Sequence, residues 1–407
     1  MTKLRAMTKL STLTPRAAWR TVTALLLAAA CAAAGPASAA KGASKPPYEY
    51  YATGNPQATV TLPASYATTS LVLMGGGPDV DEAFRWMITR AGIKPGTGGR
   101  FVVIRATGTD AYDPYLYYSD AALSTSTTVA DQWVGGASLG LTSAETLVIP
   151  SVAAANDPTV NAIVARANAV FIAGGDQSDY INYWKGTALD QTLRGLLARN
   201  VPLGGTSAGL AVLGQFDYAA LKGSVTTAQA LSNPYHRYLT LDPNPLALTG
   251  GFIAPPALAS MILDSHLDSR DRMGRLVTFV ARLVAQNGNT GCPGGILPAS
   301  SSGAATARGI GVDVETALLV QGNQATSGVT ARRVTNVSTT TESAVYFVRP
   351  AVAPSTCVAG TPLAMYGVEI RKLADSATVF DLGNWSGLPV YKTVDAVAGQ
   401  LSPANPY

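Results

Sequence analysis

Histidine is almost absent from this sequence: 407 residues contain two, His236 and His266. Imidazole chemistry therefore has two candidates, and a catalytic zinc site built on histidines has almost nothing to work with. Cysteine is nearly as scarce, at three residues: Cys31, Cys292 and Cys357. That excludes a disulfide-dense scaffold and any metal site of clustered cysteines, so no metal and no cofactor are expected. Charged residues make up 13% of the chain, against about 25% in ordinary soluble domains. With 47% hydrophobic residues, many of them alanine, the chain is neither disordered nor supercharged. The formal charge of +4 also dissolves on inspection. Lys3, Arg5, Lys9, Arg16 and Arg20 precede residue 40 and no acid does, which leaves 24 basic against 25 acidic side chains. A chain of about −1 without a basic patch gives no electrostatic reason to bind nucleic acid or an anionic membrane.

The N-terminus has the order of a secretory signal: a basic stretch, the apolar run 21–34, then Gly35, Pro36, Ala37, Ser38 and Ala39. The run is shorter than the roughly 20 residues a membrane-spanning helix needs. Residues 1–39 are therefore predicted to be a signal peptide cut after Ala39, which places the protein outside the cell or in the periplasm. Lipidation at Cys31 is the alternative that would tether it to a membrane. After cleavage Cys292 and Cys357 remain, and two cysteines in an oxidising compartment predict one disulfide.

The expected organisation is a leader over 40–69, an α/β domain over 70–330 and a β-rich extension over 331–407. Short apolar runs at 70–74, 101–105, 146–150 and 169–173 alternate with helix-length segments at 80–91, 157–168 and 189–199. Strands apolar throughout and separated by helices indicate a parallel sheet flanked by helices on both faces. Chemistry in such a sheet lies just beyond the carboxyl ends of its strands. Further strands are expected at 309–321, 343–350, 365–373 and 386–397, after a Gly, Ser and Ala rich loop at 293–308.

Gly205-Thr206-Ser207-Ala208-Gly209 lies between an apolar run and a helix-compatible one. Glycines two residues to either side of a serine let a strand turn sharply into a helix and present the hydroxyl as a nucleophile. The Ala208 amide then becomes an oxyanion donor, and the Gly174-Gly175 turn before Asp176 and Gln177 offers a second at Gly175. A serine nucleophile needs a base. His266 ends a short apolar run before a helical pattern, whereas His236 sits in a turn-like stretch, which favours His266.

The three ordered motifs Gly174-Gly175-Asp176-Gln177, Gly205-Thr206-Ser207-Ala208-Gly209 and 264–276 with Arg270, Arg272 and Arg275 resemble the cyanophycinase and peptidase E family of serine exopeptidases, most closely its cyanophycinase-like branch. Segments 101–115 and 309–318 extend the resemblance over roughly residues 70 to 320. It implies a fold similar to class I glutamine amidotransferases, often a homodimer, with Ser207 as nucleophile and His266 as base. It also implies oxyanion donors at Gly175 and Ala208, and a substrate pocket lined by Asp176, Gln177, Asp264, Arg270, Arg272 and Arg275. The implied substrate is a peptide such as cyanophycin, a poly-aspartate backbone that carries arginines on its side-chain carboxyls through isopeptide bonds. Two features depart from the pattern. Ser265 stands where family members carry glutamine, and no Asp or Glu lies between Asp217 and Asp242, where the resemblance places a third catalytic acid. Gln229 and Asp217 are the substitutes the sequence offers. An isoaspartyl dipeptidase and a catalytically impaired binding protein that keeps the pocket are the competing readings.

Overall fold

The computed structural model describes residues 45–119, 133–244, 246–248, 250–286, 290–299, 306–323, 328–339 and 342–407. The expected signal segment, Cys31 and the start of the leader at 40–44 lie outside the described residues. Pro46–Tyr407 forms one unit, built on two large sheets and a short ribbon. In chain order the strands are β1 (Glu49–Gly54), β2 (Ser70–Met74), β3 (Arg100–Arg105), β4 (Ser143–Val148), β5 (Ala169–Ile172), β6 (Leu203–Thr206), β7 (Asp217–Tyr218), β8 (Leu241–Asp242) and β9 (Met261–Ser265). They continue with β10 (Arg308–Val312), β11 (Thr316–Gly322), β12 (Val329–Thr335), β13 (Val345–Pro350), β14 (Met365–Leu373), β15 (Phe380–Asp381), β16 (Lys392–Val397) and β17 (Gln400–Ser402).

The nine-stranded sheet runs β1-β4-β3-β5-β6-β2-β11-β12-β15, and its centre from β4 to β2 is parallel. Those central strands are buried along nearly their whole length, because helices cover both faces, which is why they read as unbroken apolar runs. The helix Asp81–Arg90 buries Ala83, Phe84, Met87 and Ile88, a spacing that places all four on one side. The helix Pro158–Ala165 begins where the Asp157 side chain accepts from the Thr159 and Val160 amides and proline occupies the first turn. The second sheet runs β17-β16-β14-β13-β10-β9, antiparallel except between β9 and β10.

Segments at both ends of the described chain join the sheets. β1, within the expected leader, pairs antiparallel with β4 from Glu49↔Val148 to Gly54↔Ser143 as the edge of the main sheet. The C-terminal region is β-rich as expected and continuous with both sheets: β12 and β15 extend the first, while β13, β14, β16 and β17 complete the second. The apolar stretch 309–321 is also two strands in two sheets, broken at Asp313–Glu315, where Glu315 takes φ 55°. Cys292 and Cys357 form the expected disulfide across 65 residues. Among the described residues no helix is long and apolar enough to cross a membrane.

Candidate active site

Ser207 stands at the carboxyl end of β6 with φ 53° and ψ −112°, a conformation that non-glycine residues rarely adopt. Its neighbours make that corner possible. A Cβ on Gly205 would lie 2.4 Å from the Gly209 carbonyl oxygen, and one on Gly209 would lie 2.1 Å from that of Ile172. Backbone packs against backbone there, so both positions need glycine. The Ser207 amide is tied to the Met74 carbonyl at 3.1 Å, which fixes the corner against β2.

His266 follows β9, also left-handed at φ 49°, with its amide donating to the Gly75 carbonyl at 2.8 Å. The two strand ends belong to different sheets, yet they bring Ser207 Oγ within 2.8 Å of His266 Nε2. This is the distance of a nucleophile and base sharing a proton. Burial lowers the imidazole from its ordinary 6.5 to about 4, and the charges of Arg270 and Arg272 push in the same direction against the opposing pull of Asp264. A neutral imidazole at pH 7 can accept the serine proton. His236 lies elsewhere, edge-on to Tyr238.

A cavity of about 210 Å³ opens at Ser207 and Ala208, walled by Gly175, Asp176, Gln177, Ser224, Asp264, Ser265, Arg270, Arg272 and Arg275. All the site residues expected from the sequence other than His266 line it. Ala208 is the first residue of a helical turn, so its amide has no acceptor within that turn and is available to an oxyanion. The charged residues differ in how they are used. Arg275 and Asp264, both almost fully buried, make a two-point pair at 2.7 and 2.6 Å, and Arg275 Nη1 also donates to Ser224 Oγ and the Val225 carbonyl. Both line the cavity, and their charges are spent on each other. Arg272 Nη1 donates to the Ser265 carbonyl at 2.8 Å and lies 3.8 Å from Asp264. Exposed Arg270 makes no side-chain hydrogen bond or ion pair among the described residues. Asp176 is exposed and caps the helix Gln177–Trp184 by accepting from Ser178, while Gln177 Nε2 donates to the Tyr218 carbonyl at 3.4 Å. One unpaired guanidinium and a second shared one give this wall a positive character suited to a carboxylate.

Neither substitute for the third acid reaches the imidazole. Gln229 closes a capping box with Thr226 at the helix Thr227–Ser232. Asp217 is fully buried on β7 opposite Asp242 of β8, and Lys185 pairs with Asp242 rather than with Asp217. Burial and then the Asp242 charge push the Asp217 carboxyl well above its ordinary value. Neither of its carboxylate oxygens has a hydrogen-bond partner among the described residues. Among the described residues no side chain bonds to His266 Nδ1, and no group of three potential metal ligands occurs.

The residue the sequence reading passed over is Gly76, at φ 91°. A Cβ there would lie 2.3 Å from His266 Nε2. The run Gly75-Gly76-Gly77 at the end of β2 was the available signal, since glycines at a strand end mark a close approach. Gly77 leads into a larger cavity of about 590 Å³ lined by Asp79, Asp81, Arg105, Tyr112, Tyr115 and Asn336.

An elbow serine on an α/β sheet, hydrogen-bonded to a neutral histidine beside free backbone amides, defines a serine hydrolase. Residues 138–231, which include Gly175, Asp176, Gln177, Ser207 and Ala208, match the model of Peptidase family S51. The match spans less than a quarter of the chain; it supports a serine-type peptidase acting on a peptide substrate. No curated protein matches the sequence. Among solved structures it is similar to a peptidase from an acI-B1 Actinobacterium, at 14% identity and TM-score 0.42 over 77% of this chain and 96% of that one. It is also similar to a protein described as a peptidase E from Listeria monocytogenes EGD-e, at 14% identity and TM-score 0.33 over 66% of this chain and all of that one.

Proposed function

We propose that the protein is a secreted serine exopeptidase that cleaves aspartyl peptides bearing a free carboxylate, with β-linked Asp-Arg units of the cyanophycin type as the leading substrate. The observation that carries the reading is the 2.8 Å contact between Ser207 Oγ and His266 Nε2 at the mouth of an arginine-walled cavity. Ser207 Oγ attacks the scissile carbonyl as His266 Nε2 takes its proton, and the Ala208 and Gly175 amides receive the developing oxyanion. The imidazolium returns the proton to the leaving amine, and water then releases the acyl group by the same route in reverse. Arg270, with Arg272 beside it, holds the terminal carboxylate, and exposed Asp176 faces the substrate cation. The Cys292–Cys357 disulfide is consistent with export.

The absence of an acid at His266 Nδ1 favours a second reading, a binding protein that keeps the pocket with impaired turnover, because an unsupported imidazolium is less stable. Incubating the mature protein with cyanophycin and with isoaspartyl dipeptides, then identifying products by mass spectrometry, separates these. Asp-Arg dipeptides released from chain ends support the leading reading. Cleavage of isoaspartyl dipeptides alone redirects it to a dipeptidase, and binding without cleavage supports the second reading. Size-exclusion chromatography with light scattering tests the homodimer that the resemblance implies.

A further inference from the structure

We propose that Tyr407 is a positioning residue of the candidate active site, its hydroxyl holding the turn 266–273 in the conformation that presents His266, Arg270 and Arg272 to Ser207. The inference rests on the reading of Ser207 and His266 given above.

The Tyr407 hydroxyl accepts from the Met273 amide at 3.1 Å and faces two acceptors, the Leu267 carbonyl at 3.0 Å and Asp271 Oδ1 at 3.2 Å. These groups mark the start, the end and the most distorted point of one turn. His266 and Asp271 are both left-handed, at φ 49° and 45°. Conformations of that kind cost energy and persist where surrounding contacts over-determine them. Further ties come from β2 through Gly75 to His266, from the Val312 carbonyl to the Leu267 amide at 3.2 Å, from Asp313 to the Asp268 amide at 3.1 Å, from the Val314 amide to Asp268 at 3.3 Å, and from Thr227 to the Asp271 carbonyl. Tyr407 grips both ends at once from outside the turn, beside the turn's own bond from the Arg272 amide to the Leu267 carbonyl at 2.8 Å. It is itself well held, with its ring edge-on to Tyr346 at 5.8 Å, its carbonyl accepting from Tyr391 and Lys392, and its amide donating to Asn405. A residue of the last strand region thus reaches the catalytic turn 141 positions upstream of it, the separation between His266 and Tyr407.

The test is Tyr407→Phe in the full chain, which keeps the ring packing and removes the hydroxyl. With two histidines in the protein, both imidazoles are resolved by NMR titration, and His236 serves as an internal control. In the unmodified protein His266 titrates at about 4, held there by burial and by Arg270 and Arg272, with Asp264 opposing and Arg275 adding. The variant is expected to move it upward as the turn relaxes and the arginines withdraw, with His236 unmoved. The rate of Ser207 modification by a fluorophosphonate should fall about tenfold, the worth of one or two ordinary hydrogen bonds. Val394→Ala, a cavity in the second sheet's core, measures what destabilisation alone does and should leave His266 in place. An unchanged His266 titration in folded Tyr407→Phe overturns the inference. If the unmodified protein fails to label, the functional reading fails, and the titration still decides this one. Should Tyr407→Phe not fold, Asp271→Asn weakens one acceptor of the same hydroxyl and is read the same way.

Discussion

Arg275 and Asp264 face each other through two hydrogen bonds of 2.7 and 2.6 Å, each side chain 2% exposed, on the wall of the cavity that Ser207 opens into. Removing one partner of a buried pair strands the other charge in a poorly polarisable site. Arg275→Met is therefore expected to destabilise the fold by about 3 to 5 kcal/mol, read as a fall in Tm, before any effect on catalysis is resolved. A variant as stable as the parent would show that the pair is not structural.

Arg270 has the opposite profile, exposed and without an ionic partner among the described residues. Arg270→Met should leave Tm unchanged and weaken binding of a carboxylate-terminated substrate by about 1.5 to 3 kcal/mol, the scale of a hydrogen bond to a charged group. An amidated substrate is the control. It should already be poor for the unmodified enzyme and lose little more on substitution. Equal losses with both substrates would remove Arg270 from the carboxylate site.

Gly76→Ala places a methyl group where His266 Nε2 now lies, 2.3 Å from the ideal Cβ, at a backbone φ of 91° that L residues avoid. The imidazole must shift away from Ser207. A displacement of about 1 Å in a catalytic pair costs on the order of a hundredfold in rate. Steady-state kinetics on the folded variant checks this, and an activity within twofold of the parent would mean that the glycine is dispensable.

The disulfide closes a loop of 65 residues between the segment after the helix Met273–Leu283 and the segment before β14. In the chain-entropy model its reduction costs about 4 kcal/mol. Thermal unfolding with and without reductant is the measurement, and coincident curves would contradict it.

How far the sequence reached follows from the range of each interaction. The parallel core strands and their helices were legible because burial on both faces leaves a local signature, as in β2 and β5. Ser207 and His266 were legible because elbow glycines and scarce histidines are local facts too. Glu49–Gly54 looks like leader in the sequence because an edge strand alternates half-buried and exposed residues and carries little apolar signal. The stretch 309–321 was read as one strand because periodicity does not say which sheet a residue joins, and the left-handed turn at Glu315 has no glycine to announce it. The spent charge of Arg275, the capping role of Gln229 and the reach of Tyr407 depend on partners 3 to 140 positions away. Only for the nearest of these, the Thr226–Gln229 box, was there a local pattern to see.

The central claim is that His266 activates Ser207. The measurement that addresses it most directly is the rate of fluorophosphonate modification at Ser207 as a function of pH, with the modified residue located by mass spectrometry. A lowered imidazole loses its proton early, so the base form is present at all pH values above about 4, where an unperturbed histidine would need pH 6.5. The expected profile rises with a midpoint near pH 4 and is flat through pH 7. His266→Ala should abolish it, His236→Ala should leave it unchanged, and Ser207→Ala should remove the label while preserving Tm. Absence of label on the unmodified protein, or a profile unaltered in His266→Ala, would contradict the account.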